Sequence, residues 1–219
     1  MKANITPKKK RKNMRNERKL GHRFPKVSTA IILIASPGGG KGTTEEGLDG
    51  AGFRVHSLPF RKVLDEEKKK KTPMGNKIEF FRTRGRLVPI EIMRKAVKMA
   101  FQRIPRDGGL IILDGLPRDR SQIDLALEGL EKFGVQRKIV LHLECDPILA
   151  ACRIMKRARN KMDKDPYLVA GRMREFDSVT KHVVSDFREH KQGYGVEFVH
   201  YNTNNLKREF PNLLRILNL

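Results

Sequence analysis

The run Ser36-Pro37-Gly38-Gly39-Gly40-Lys41-Gly42-Thr43 directly follows a short apolar stretch, Ile31 to Ala35. Consecutive glycines let a backbone turn with its N–H groups pointing inward. A helix starting at Lys41 would add the positive end of its dipole, so the segment can cradle phosphate oxygens. Lys41 then offers a mobile charge to the β- and γ-phosphates of a nucleotide. The ordinary alternative is a glycine-rich turn with an incidental lysine; strand, loop and Lys-Gly-Thr in this order favour phosphate. Two positions depart from the general phosphate-loop pattern: Ala35 stands where a first Gly is expected, and Gly42 where a Ser or Thr would face magnesium.

A second constellation is Leu113-Asp114-Gly115-Leu116-Pro117-Arg118, with Gln122 four residues further on. A carboxylate at the carboxyl end of a strand can organise hydrated magnesium. An arginine just beyond it can bridge phosphates with its planar donor fork. Taken alone, the same residues also describe an aspartate turn ahead of a proline. Arg153 and Arg157 are four apart and so share one helix face, a spacing that a surface helix also shows by chance. His56, placed toward a strand end, reads either as a ligand contact or as a structural hydrogen bonder.

Residues so far apart in sequence need a frame that brings them together. Short apolar runs at Ala30 to Ala35, Phe53 to Ser57, Leu110 to Leu113, Ile139 to Leu143 and Val196 to Tyr201 predict five strands. Helical spacing over Ile90 to Ile104, Ser121 to Phe133 and Pro147 to Arg159, with Ser121 and Asp146 as N-caps, predicts crossover helices. The alternation implies an α/β domain with a mainly parallel sheet, whose ligands bind at the carboxyl edge. The charged run Asp65-Glu66-Glu67-Lys68-Lys69-Lys70-Lys71 places acids three or four residues before bases and predicts a solvated helical ladder. Pro73, Gly75 and Gly85 then punctuate a helical stretch, the mark of a small insertion over one edge of the sheet. No internal repeat is evident.

The chain of 219 residues is 38% hydrophobic and 33% charged, enough apolar material for one sizeable core. Its formal charge of +22 favours phosphate-bearing partners over cationic ones. Cys145 and Cys152 are too few for a disulfide framework. No apolar stretch near the start reaches the roughly 20 residues of a membrane span, so a soluble, cytoplasmic protein with no membrane contact is expected. Residues 1–26 hold eleven Lys or Arg against one acid, Glu17. They predict a disordered tail: a solubilising extension, an arm for RNA, DNA or the ribosome, or a nuclear signal in a cell with a nucleus.

The Gly-Lys-Gly-Thr ending and the Asp-Gly-Leu-Pro-Arg segment together resemble the adenylate kinases and related nucleoside monophosphate kinases over roughly residues 28–217. The order agrees: phosphate loop, Gly85-Arg86-Leu87-Val88-Pro89, the Asp114 signature, then Arg153-Ile154-Met155-Lys156-Arg157. The resemblance implies a phosphate-loop three-layer α/β/α domain over 27–219 with a five-stranded parallel sheet. It also implies a small helical monophosphate-binding insertion at about 56–90 and a short lid at about 158–171, without zinc. For ATP it implies Gly38, Gly39, Gly40, Lys41, Gly42, Thr43 and Arg153. For AMP it implies His56, Arg61, Arg86, Leu87, Val88, Gly115, Arg118, Gln122 and Arg172, with Gln122 reading the base. Lys41, Arg118, Arg153, Arg157 and Arg172 would surround the transferred phosphoryl group, and Asp114 would hold magnesium through water. A monomer is the implied state.

Two segments depart from the family. Where its AMP site runs about Ser-Thr-Gly-Asp-Leu-Leu-Arg, this chain has Val55-His56-Ser57-Leu58-Pro59-Phe60-Arg61, which keeps only the arginine. In the lid, Arg-x-Asp-Asp becomes Lys161-Met162-Asp163-Lys164, counted back from Arg172 and Phe176. The leading expectation is a kinase that moves the γ-phosphoryl of Mg-ATP to AMP. The alternatives are a kinase for another nucleoside monophosphate, or a nucleotide-sensing or RNA-associated protein of low activity that works through its basic tail.

Overall fold

The computed structural model describes residues 29–84, 88–105, 108–158 and 163–219. Five parallel strands form one sheet in the order β2-β3-β1-β4-β5: β1 (Thr29–Ala35), β2 (Val55–Pro59), β3 (Leu110–Asp114), β4 (Arg137–Glu144) and β5 (Glu197–Asn202). β1 lies at the centre, with Leu33 in register with Asp114 on one side and Leu141 on the other.

The period of two along β1 builds both halves of the core. Ala30, Ile32 and Ile34 face one apolar cluster while Ile31, Leu33 and Ala35 face the other. The first cluster is closed by α2 (Phe60–Lys69), α3 (Pro73–Thr83), α4 (Ile90–Gln102), α5 (Ile123–Phe133) and α8 (Lys181–Glu189). The second is closed by α1 (Lys41–Gly50) and α9 (Leu206–Leu217). The result is the expected three-layer α/β/α arrangement. Ile31 and Ile32 are fully buried, and each such side chain stabilises the fold by about 2 kcal/mol. The strand that carries the phosphate loop is therefore among the most firmly seated.

Several local expectations shift. β2 starts at Val55 because Phe53 turns aside to pack against the α1 and α9 side. The helix expected from Ser121 opens as a 3-10 turn, Arg120–Gln122, whose cap is Asp119, accepting from the Ser121 N–H. Asp146 does cap α6 (Pro147–Arg157), accepting from the Leu149 N–H. α7 (Pro166–Glu175) then runs through a π-turn, Phe176–Thr180, into α8.

The charged run on α2 is a solvated ladder only in part: Glu67 and Lys70 pair three residues apart with the lysine exposed, while the other acids reach beyond the helix. Glu67 is buried and accepts from Lys70 Nζ at 2.8 Å and Thr72 Oγ1 at 2.8 Å. Asp65 pairs with Arg82, Lys68 with Glu79 on α3, and Glu66 with Arg103 after α4. These cross-links fasten the helical segment between β2 and β3 while the paired side chains stay partly open to water. No helix among the described residues is long and apolar enough to cross a membrane.

Candidate nucleotide site

The phosphate loop leaves β1 at the carboxyl edge and enters α1 through Gly40, which has φ +96° and offers no side-chain cap. The first N–H groups of α1 thus lack a capping side chain, which leaves a seat for an anion. Gly38 has φ +78°, and a Cβ there would meet the Ala150 carbonyl oxygen of α6 at 2.3 Å. Only glycine fits that approach. Gly38, Gly39, Gly40, Lys41, Gly42 and Thr43 all line one cleft of about 800 Å³.

Lys41 folds back over the loop, donating to the Ala35 carbonyl at 3.3 Å and lying 3.6 Å from Asp114 Oδ1. Desolvation pushes its ammonium below the ordinary lysine range, and Asp114 offsets part of this. Asp114 ends β3 and faces the same cleft, as do Gly115 and Arg118. A carboxylate that is about a third exposed beside a phosphate loop suits a hydrated hard cation. The Arg118 side chain is held by the Gly115 carbonyl at 3.3 Å, and a cis peptide joins Leu116 to Pro117 between them.

Arg61, from the first turn of α2, lines the cleft with Arg157 and Arg172. Burial, and then repulsion from Arg82, Arg172 and Arg118, pushes its guanidinium below the usual arginine range. Such crowding of cations is favourable only around an anion. Arg157 and Arg172 are held by one carboxylate: Asp163 Oδ2 lies 3.2 Å from Arg157 and Oδ1 2.8 Å from Arg172. Asp163 is 1% exposed. Desolvation pushes its carboxyl up, but the hydrogen bonds from Arg172 and Arg157 outweigh this and hold it below the usual range. The lid acid that the sequence retains therefore aims two of the arginines.

Arg153 behaves differently from a mobile clamp. It lines the cleft, yet its fork is taken by the Thr203 carbonyl at 3.0 Å, the Asn204 carbonyl at 2.8 Å and Cys145 Sγ at 3.2 Å. It forms a fixed wall. His56 is not brought to this cleft. It lies three residues before the carboxyl end of β2, with Nε2 2.8 Å from the Gly108 carbonyl, and lines a second depression of about 550 Å³ along that strand. The structural hydrogen-bonding reading of this histidine is the one seen. Gln122 is buried off the cleft lining, its Oε1 accepting from the Arg118 N–H at 3.0 Å. Val88 packs into the core. Arg86, Leu87, Lys161, Met162 and the tail 1–26 lie outside the described residues.

The sequence reading did not single out Glu45, Glu46, Glu175 or Thr180, which line the cleft. Glu45 is one helical turn after Lys41, a spacing that could have flagged it. Burial, opposed by a hydrogen bond with Ser57, pushes its carboxyl up. Thr203, fully buried beneath the loop, had no signal in the sequence beyond its place after β5. Among the described residues no cluster of three or more His, Cys, Asp or Glu could hold a metal ion.

Comparison with known proteins agrees with this geometry. The sequence model of the family described as Adenylate kinase matches residues 33–192. An adenylate kinase of Synechococcus sp. is 30% identical over 164 residues, covering 74% of this chain and 83% of that protein. An adenylate kinase of Oenococcus oeni is 28% identical over 176 residues, 78% of this chain and 90% of its own. Adenylate kinase 1 of Schistosoma mansoni is 27% identical over 161 residues, 73% and 79% of the two chains. With the family match spanning the phosphate loop, the Asp114 signature and the arginines that converge on them, the chain belongs to the adenylate kinase family of phosphotransferases.

Proposed function

We propose that the protein transfers the γ-phosphoryl group of Mg-ATP to AMP, reversibly giving two ADP. The observation that carries this is the convergence of Lys41, Arg61, Arg118, Arg157 and Arg172 on the phosphate loop in one cleft, with Asp114 beside them. Phosphoryl transfer asks little covalent chemistry of a protein, so positioning and charge stabilisation supply most of the catalysis.

The loop N–H groups and Lys41 hold the donor phosphates. Arg61 and Arg118 hold the acceptor phosphate. Arg157 and Arg172, aimed by Asp163, neutralise the equatorial oxygens during transfer and keep water from competing as they close. Asp114 would hold hydrated magnesium, which would supply positive charge to neutralise the donor phosphates. Gln122 and the backbone at Leu87 and Val88 are proposed to read adenine, as in the family this chain resembles. One observation favours a different acceptor base: the β2 segment turns His56 away from the cleft and buries Leu58 in the core.

A coupled assay with Mg-ATP against AMP, CMP, UMP and GMP tests both readings, with Lys41→Ala as the control against contaminating kinase. Activity with AMP alone, reduced by about 10²–10³ in the variant, is the expected result. Preference for a pyrimidine or guanine acceptor would transfer the reading to another monophosphate. Unchanged turnover in Lys41→Ala would overturn the phosphate-loop assignment.

A further inference from the structure

Thr203, in the corner between β5 and α9, is fully buried and touches the ATP side of the cleft in three ways. Its Oγ1 lies 3.1 Å from the Gly39 carbonyl and 2.9 Å from the Glu144 carbonyl. The Thr203 N–H already donates to the Glu144 carbonyl at 2.7 Å, whereas the Gly39 carbonyl accepts no other hydrogen bond among the described residues. The single hydroxyl proton therefore has its most useful acceptor in the phosphate loop. Its Cβ and methyl carbon lie 3.6 and 3.7 Å from the point where a side chain on Gly40 would begin, backing the left-handed residue that opens α1. Its carbonyl, with that of Asn204, accepts from Arg153.

We infer that Thr203 is a positioning residue for the donor nucleotide: its hydroxyl fixes the phosphate loop while its carbonyl fixes Arg153, so that loop and arginine present one preset surface to ATP. The inference rests on the nucleotide kinase reading of the cleft. A buried carbonyl that loses its only donor moves toward another partner, and here the movement is that of the loop itself. Sub-ångström placement of phosphate-binding groups is what such a site depends on. The acceptor side, built from α2 and the Asp114 signature, does not touch Thr203.

The test compares Thr203→Val, which keeps the shape without the hydroxyl, with Thr203→Ser, which keeps the hydroxyl without the methyl. Equilibrium binding of a non-hydrolysable ATP analogue with magnesium, KM for each nucleotide, and the melting temperature are measured for both. Thr203→Val is expected to weaken the analogue and raise KM for ATP about tenfold, with KM for the acceptor unchanged within twofold. Thr203→Ser is expected to bind the analogue within about twofold of the wild type, though it melts lower. A lower melting temperature in Thr203→Val with unchanged analogue affinity would reduce Thr203 to packing and overturn the inference, as would equal losses for donor and acceptor. Should Thr203→Val not fold, Thr203→Ser decides alone: a tenfold loss of analogue affinity with the hydroxyl present overturns it. Failure of the wild-type protein to bind the analogue would instead overturn the kinase reading.

Discussion

His142 lies on β4 with its ring buried, Nδ1 facing Nδ1 of His200 at 3.1 Å, while His200 Nε2 meets Glu144 at 3.1 Å. Burial first, then the neighbouring His200, lowers its pKa to about 4; Arg188 and Lys181 act the same way and Glu144 opposes them. An unfolded histidine titrates near 6.5. Between those values the unfolded chain binds a proton that the folded chain does not, so stability is full above about pH 6.5 and falls as pH drops toward 4. The loss from pH 7 to pH 5 is expected to be about 2 kcal/mol. Urea midpoints at the two pH values, for the wild type and His142→Gln, check this; an equal loss in the variant would place the acid sensitivity elsewhere. The pairing of His142 with His200 follows from the register of β4 on β5, which sequence spacing does not reveal. The same limit hid Thr203, whose partner in the phosphate loop is 164 residues away. Lys41, Asp114 and Arg118 were legible because each belongs to a short motif whose neighbours fix its geometry locally.

At the scale of elements, the phosphate loop is held from below by α6 as well as from the side by the β5 to α9 corner. Gly38→Ala puts a methyl against the Ala150 carbonyl and strains a left-handed backbone. Gly52→Ala meets the same kind of strain at φ +91° with open space around it. Gly52→Ala is expected to cost about 1 kcal/mol with unchanged nucleotide binding. Gly38→Ala is expected to weaken the ATP analogue more than tenfold, and equal affinities in titrations of the two variants would show that the loop tolerates displacement. The strands were legible from short apolar runs set between helical stretches long enough to be crossovers. The function of the charged run on α2 was not, because Asp65, Glu66 and Lys68 find partners beyond α2 that only the folded chain brings alongside. His56 illustrates the same point: near a strand end, small changes of register decide whether a side chain reaches the ligand cleft, and here it bonds to the Gly108 carbonyl ahead of β3.

For the whole molecule, residues 1–26 carry +10 of the +22 charge, leaving +12 on the remainder. Deletion of 1–26 is expected to shift elution from immobilised RNA to lower salt and flatten its salt dependence, with kcat for phosphoryl transfer unchanged. Equal retention would assign the binding to the folded part. The family match covers residues 33–192, so β5 and α9 lie beyond it, although Thr203 and Leu206 both abut the loop. Arg137 on β4 binds them into the fold, reaching Glu197 at 2.7 and 2.8 Å and the Leu217 carbonyl at 2.8 Å. The ties from Thr203 to Gly39 and Arg153 also set an order in time. A ribosome making this chain releases the phosphate loop 164 residues ahead of the threonine that holds it in shape. The nascent protein therefore carries its nucleotide motif without the means to use it until Thr203 has emerged and folded onto the loop.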